Sequence, residues 1–170
     1  MMNSGYQVAR HEVTVYVRAR GLANMRNAPL LDAFLRASLD QGARMACVDL
    51  AGCTGMDSTF MGTLVGYAHE YGAIGGRLVI VRPGAANLRL LMMLGVAEIV
   101  AVLPHCADPE LVFVELAAER ALGPRDCIEL VRRAHVHLAG LSATNASKFA
   151  AFLQALDADL KRLPPAVGAG

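Results

Sequence analysis

The run Val48-Asp49-Leu50-Ala51-Gly52-Cys53-Thr54-Gly55-Met56-Asp57-Ser58-Thr59-Phe60-Met61-Gly62 decides how this chain folds. It closes a short apolar segment, Met45 to Leu50, that is bounded by turn residues and reads as a buried central strand. A small polar loop follows, and Asp57-Ser58-Thr59 then opens a helical pattern from Thr59 to Tyr71, with Met61, Leu64, Val65 and Ala68 on one stripe. Backbone N–H groups at a helix start have no partner within the helix, and the helix dipole adds partial positive charge there. Asp57 or Ser58 can therefore cap the helix, and a phosphate on Ser58 would also lie in a favourable field. On local chemistry alone the cap is the commoner use of such a triplet.

Outward from this run, strands and helices alternate. Val13 to Val17 is β-branched and aromatic and reads as a strand that Gly21 ends. Pro29 opens an amphipathic helix carrying Leu30, Leu31, Phe34, Leu35 and Leu39, and Gly42 stops it. Gly72, Gly75 and Gly76 close the helix after Asp57. Leu78 to Val81 is a second buried strand, Ala85 to Leu94 a helix stopped by Gly95, and Ile99 to Val102 a further short strand. Asp108 to Leu122 is expected to be helical, with Asp108 as N-cap and Pro109 in its first turn. The alternation predicts an α/β fold with a parallel or mixed sheet flanked by helices. Beyond Gly123-Pro124 the pattern turns purely helical, over Asp126 to Ala139 and Ser142 to Leu163, and Pro164-Pro165 ends it. The expected organisation is one α/β domain over residues 1–122, a C-terminal helical hairpin or extension over 123–163, and a frayed tail over 164–170.

Composition narrows the functional classes. Hydrophobic residues make up 55% of the 170, the net charge is +1, aromatics are 5% and Trp is absent. That balance supports a sizeable core and argues against a basic or base-stacking nucleic-acid surface. The four cysteines, Cys47, Cys53, Cys106 and Cys127, form no C-x-x-C pair, so zinc spacing is missing, and Cys47 reads as a small buried hydrophobe. Nothing at Met1-Met2-Asn3-Ser4 resembles a signal peptide, so a cytoplasmic location is expected. The most apolar stretch, Leu88 to Pro104, is interrupted by Arg89 and Glu98 and is not expected to span a membrane. No cofactor or metal is expected. His135 and His137, two apart, point to different sides of a helix and read as solvated or partly packed imidazoles. His69, Glu70, Arg132, Arg133, Lys161 and Arg162 read as solvated surface. No acid/base or nucleophile constellation is visible, so an enzyme is not expected.

The strand Cys47 to Leu50, the Met56-Asp57-Ser58-Thr59 loop, the helix through Gly62 and Leu64, the pair Gly75-Gly76, the strand Leu78 to Val81 and the later run Asn87 to Val96 together resemble the STAS domain, the family of anti-sigma factor antagonists. The resemblance spans about residues 10 to 122 by order of elements. It implies a four- or five-stranded sheet with flanking helices and a partner-switching role. It further implies binding to a kinase-type anti-sigma factor that phosphorylates Ser58, and a phosphatase that resets the system. Asp57 takes the neighbouring acidic position, and Thr59 is a second hydroxyl. Two positions depart from the family's pattern: Phe60 stands where a glycine is usual, and Asn24 where an acidic residue is usual.

Phe60, Thr63 and Tyr67 form a second stripe on the helix. It is either a partner contact or packs under the N-terminal segment or the hairpin. The partner surface expected from the resemblance and this stripe comprises Asn24, Asp57, Ser58, Thr59, Phe60, Thr63 and Tyr67. Gly62 and Gly66 permit a close backbone approach. The stripe Phe149, Leu153, Leu156, Leu160 lets the hairpin fold back or pair with a second chain as a homodimer. Two other roles fit the same fold: a constitutive scaffold or transport-complex subunit, or a small-molecule or lipid-sensing module, neither phosphorylated.

Overall fold

The computed structural model describes residues 3–107 and 109–165. Its strands are β1 (Gly5–His11), β2 (Thr14–Ala23), β3 (Met45–Met56), β4 (Arg77–Val81), β5 (Ala101–Leu103) and β6 (Val114–Glu115). Its helices are α1 (Ala28–Asp40), α2 (Ser58–Ala73), α3 (Ala85–Met93), α4 (Val96–Ile99), α5 (Pro124–Ala139) and α6 (Ala143–Arg162). The sheet order is β5-β4-β3-β2-β1-β6. The β2–β3–β4–β5 run is parallel, and β1 pairs antiparallel with both β2 and β6. The mixed α/β class stands, with six strands among the described residues instead of four or five.

Side chains alternate across a strand, so the two sheet faces have different fates. Val15, Val17, Ala46, Val48, Leu50, Leu78 and Ile80 join Leu31 and Leu35 of α1 and Phe60, Leu64 and Tyr71 of α2 in the main core. The opposite face carries a smaller cluster of Cys47, Val79 and Val81 with Tyr16, Met45, Ala101 and Leu103. Residues 104–107 and 109–113 lie along that face as a strap. Cys106 of the strap forms a disulfide with Cys47, so Cys47 is buried as expected but also bonded. Arg18 stacks on Phe113 at 3.7 Å from the ring centre. A cavity of about 270 Å³ remains beneath, lined in part by Tyr16, Arg18, Asp49, His105 and Phe113.

Three sequence expectations change. β2 does not end at Gly21; it continues to Ala23 through an irregularity where Gly21, at φ +66°, shifts the register against β3. Ile99 belongs to the end of α4, and the edge strand starts at Ala101. The helix expected over Asp108 to Leu122 does not form among its described residues, and Asp108 itself lies outside them. Val114 and Glu115 instead supply an edge strand to β1, and Leu116 N–H donates to the Tyr6 carbonyl. Glu115 is fixed there by Gln7 and Arg20 at 2.8 and 2.7 Å. The capping and first-turn signals that suggested a helix are not matched by a face to bury, since Val112 is 87% exposed. Pairing an open sheet edge wins over the local start signals of a helix.

α5 and α6 form the expected hairpin, and it folds back onto α2. Ser142 caps α6 by accepting from Asn145 N–H at 3.0 Å. Asn145 Nδ2 donates to the carbonyls of Leu94 and Leu138, tying the hairpin turn to the end of α3. Arg125 closes the far end by donating to the Leu160, Leu163 and Pro164 carbonyls, which the end of α6 would otherwise leave unpaired.

Candidate functional site: the start of α2 under the hairpin

β3 delivers the chain to Asp57, whose extended backbone makes it the N-cap of α2. Asp57 Oδ1 accepts from Phe60 N–H at 2.9 Å, while Oδ2 accepts from Met25 N–H at 2.8 Å. One carboxylate thus caps the helix and holds the loop between β2 and α1 against it. That loop contains Asn24, whose carbonyl accepts from Asn27 and Ala28 N–H and whose Oδ1 accepts from Arg26 N–H. Asn24 therefore shapes the loop beside Asp57 from its own backbone and amide. Asn27 completes the loop by accepting from the Tyr6 hydroxyl at 2.8 Å.

Ser58 is the first residue of α2 and is half-buried. Its Oγ lies 2.8 Å from Nε2 of His135 on α5. His135 Nδ1 lies 2.7 Å from the Val131 carbonyl, which can only accept. The neutral ring must then carry its proton on Nδ1, leaving Nε2 as acceptor, so the Ser58 hydroxyl donates to His135. His135 is 2% exposed and sits edge-on to Phe149 and Phe152 of α6, with ring centres 5.1 and 4.8 Å away. It is therefore neither solvated nor partly packed, but a buried partner of Ser58 that no local spacing announces.

The remaining expected site residues are drawn together but not displayed. Thr59, Phe60, Thr63 and Tyr67 are all buried within this chain. Phe60 is wholly covered and stacks on Tyr6 of β1 at 6.4 Å, and Thr63 donates to the Thr59 carbonyl at 2.8 Å. The Tyr67 hydroxyl lies 2.7 Å from the Asp32 carbonyl and 2.9 Å from its Oδ1. Burial pushes the Tyr67 hydroxyl far up in pKa, and the nearby Asp32 charge adds to it. In this conformation the stripe Phe60-Thr63-Tyr67 takes the packing alternative and meets β1, α1 and α5. The cause is the position of α2, packed on the sheet on one side and on α5 on the other.

Two glycines make that packing close. A Cβ on Gly62 would overlap the Ala134 carbonyl, and one on Gly66 would come within 2.8 Å of the His137 ring. Around them, Arg133 of α5 donates to Asp32 at 2.9 Å, and His137 meets His69 edge-on at 5.8 Å. Arg36 pairs with Glu70 through its two terminal guanidinium nitrogens, at 2.5 and 2.6 Å, and Arg132 with Asp157 at 2.5 Å. Several residues read as solvated surface are thus joined in ion pairs or ring contacts between helices. Among the described residues no group of three or more His, Cys, Asp or Glu side chains is placed to hold a metal ion, and no helix is long and apolar enough to cross a membrane.

The family model described as "Mlab, STAS domain" matches residues 6–104, more than half of the chain. Curated proteins give no match. Among solved structures, the anti-sigma factor antagonist SpoIIAA in its unphosphorylated form is similar at 20% identity and a TM-score of 0.54, over 58% of this chain and 88% of that one. The Bacillus cell fate determinant SpoIIAA in the phosphorylated form gives 20% identity and 0.50, over 58% and 91%. An anti-sigma factor antagonist from Mycobacterium paratuberculosis gives 20% identity and 0.54, over 61% and 87%. At such identities the likeness concerns the fold, and the matched span ends before the strap and the hairpin. The sheet order, the Asp57-Ser58 helix start and the family match agree: the chain belongs to the STAS domain family.

Proposed function

We propose that this chain is a non-catalytic, cytoplasmic partner-switching regulator. In this reading the STAS-like body, residues 1–122, is an anti-sigma factor antagonist that binds a kinase-type anti-sigma factor around Asp57 and Ser58. Phosphorylation at Ser58 ends the binding, and a phosphatase restores it. The observation that carries the reading is the division of labour at the start of α2. Among the described residues Asp57 alone supplies the cap and holds the Met25 loop, so the Ser58 hydroxyl is spared from capping α2 and is engaged only by a side chain of the C-terminal hairpin. A phosphate there would add about 1.5 to 2 negative charges beside a helix N-terminus, which tolerates them, and against a partner surface that would have to desolvate them.

A second reading is favoured by the same hydrogen bond. If His135 holds Ser58 permanently, the domain is a constitutive scaffold or transport-complex subunit without phosphorylation. The cavity under the strap leaves room for a small-molecule sensor, but it lies on the sheet face opposite α2. The discriminating experiment incubates the full chain with host cytosolic kinases and ATP, maps phosphate by mass spectrometry, and compares partner capture by wild type, Ser58→Ala and Ser58→Asp. Phosphate on Ser58, with capture lost only in Ser58→Asp, supports the switch. No phosphate on Ser58 together with unchanged capture by Ser58→Asp supports the scaffold.

A further inference from the structure

The hairpin sits where the proposed partner must bind. Three contacts made by consecutive residues of α5 place it there. Ala134 of α5 crosses α2 at Gly62, where the backbones approach so closely that no side chain fits between them. One residue on, His135 accepts a hydrogen bond from the Ser58 hydroxyl. Arg133, one residue before, reaches Asp32 of α1 on the flank of the same face. The family match covers residues 6–104, so the sheet and α1 to α4 account for it without the hairpin. Between Glu115 and Pro124 there is no helix or strand, so residues 116–123 form the connection between body and hairpin.

We infer that α5 is a reversible cover on the α2 face defined by Ser58, Gly62 and Gly66, and that hairpin and partner exclude one another there. The inference rests on the proposed role of Ser58 and names its regulation. The chemistry of the cover also describes its competitor. Gly62 and Gly66 admit a helix only if a small residue stands at the crossing, as Ala134 does. Ser58 rewards a neighbouring acceptor, as His135 provides. The partner that fits is therefore a protein helix with a small residue beside a hydrogen-bond acceptor. A phosphate on Ser58 cannot keep the 2.8 Å contact between Oγ and Nε2, and so removes the hydrogen bond that ties α5 to the start of α2. Opening comes before modification, and modification prevents reclosure.

The test needs no identified partner. In the full chain carrying Ser58→Cys, labelling of residue 58 by N-ethylmaleimide is followed by peptide mass spectrometry across low urea. Local opening exposes far less surface than global unfolding, so the labelling rate should depend only weakly on urea. Adding Leu138→Asp, which charges a fully buried hairpin position and leaves the α2 face unaltered, should accelerate labelling at least tenfold. Hydrogen exchange in β3 and β4 checks that the body stays folded. Gly62→Ala, which overlaps Ala134, is the second opening variant should Leu138→Asp not fold. A synthetic peptide of residues 124–163 should restore protection to the Leu138→Asp chain, and the same peptide with Ala134→Leu should not.

Labelling that follows the urea dependence of global unfolding makes the hairpin a permanent part of the fold and overturns the inference. So does labelling of the unopened chain at the rate of an unfolded peptide, or peptide protection indifferent to Ala134→Leu. A protected residue 58 with a doubled solution mass assigns the cover to a second copy and overturns closure within one chain. Whether Ser58 is a phosphoacceptor is read separately, by the kinase experiment.

Discussion

The hydroxyl oxygen of Ser58 and Nε2 of His135 lie 2.8 Å apart although 77 residues separate them in the chain. The bond joins the first residue of α2 to a buried ring on α5, and the ring is oriented from behind by the Val131 carbonyl. Ser58→Ala removes only a donor. His135→Ala also empties the space beside Phe149 and Phe152, and should cost about 2–3 kcal/mol. In a double-mutant cycle read by urea unfolding, the two changes should couple by about 1 kcal/mol. Additive losses would show that the pair is not bonded in solution.

Gly62 and Gly66 occupy equivalent positions one helical turn apart, yet their alanine variants should differ. Alanine gains roughly 1 kcal/mol of helix propensity over glycine at either site. At position 62 the new methyl overlaps the Ala134 backbone, which cannot move without moving α5, so a net loss of about 1–3 kcal/mol is expected. At position 66 the obstacle is the His137 ring, which can rotate away, and the net change should be near zero. Thermal and urea unfolding of the two variants give the comparison.

The Tyr71 hydroxyl is buried with no hydrogen-bond partner among the described residues, and burial pushes its pKa up to about 12. A buried, unsatisfied polar group costs about 1–3 kcal/mol. Tyr71→Phe keeps the ring and removes the cost, so it should raise stability, by about 1 kcal/mol. A loss of stability in urea unfolding would mean that the hydroxyl has a partner in solution.

Stability should fall at both ends of the pH range. Burial, followed by the nearby charges of His69 and Arg133, lowers the His137 pKa below 6.5, with Glu70 opposing. The unfolded chain then binds the proton more readily, so this contribution is complete above pH 6.5 and is lost as pH falls below it. His137→Gln should flatten that acid limb. Tyr6, Tyr67 and Tyr71 are all raised, chiefly by burial. Their contribution is complete below the unfolded value near 10 and is lost as pH rises beyond it. Unfolding free energies measured across pH for wild type and His137→Gln check both limbs.

The sheet's parallel core was legible because β3 and β4 are continuous apolar runs between turn residues, and α1 and α5 carry clean amphipathic stripes with Pro at their starts. β1 was not legible: the sequence left the pairing of the N-terminal segment open, and Gly5–His11 alternates only weakly. The helix expected from Asp108 failed because a cap signal and a first-turn proline say nothing about a free sheet edge nearby. At the site, Asp57 and Ser58 were readable as a helix start, and Gly62 and Gly66 as a close approach. That the approach is made by Ala134 was not readable, nor that His135 reaches Ser58, since both depend on how a distant hairpin docks. The burial of Phe60, Thr63 and Tyr67 had one available signal. Ser58 to Ala68 contains no charged residue, as suits a helix covered on all sides.

The most direct measurement places phosphoserine at position 58 of the full chain by genetic encoding and compares its hydrogen exchange with that of the unmodified chain. The account predicts that amides of Pro124–Ala139 and Ala143–Arg162 lose at least tenfold protection on phosphorylation, while those of Met45–Met56 and Arg77–Val81 keep theirs. Unchanged or increased protection of the hairpin in the phosphorylated chain would contradict it.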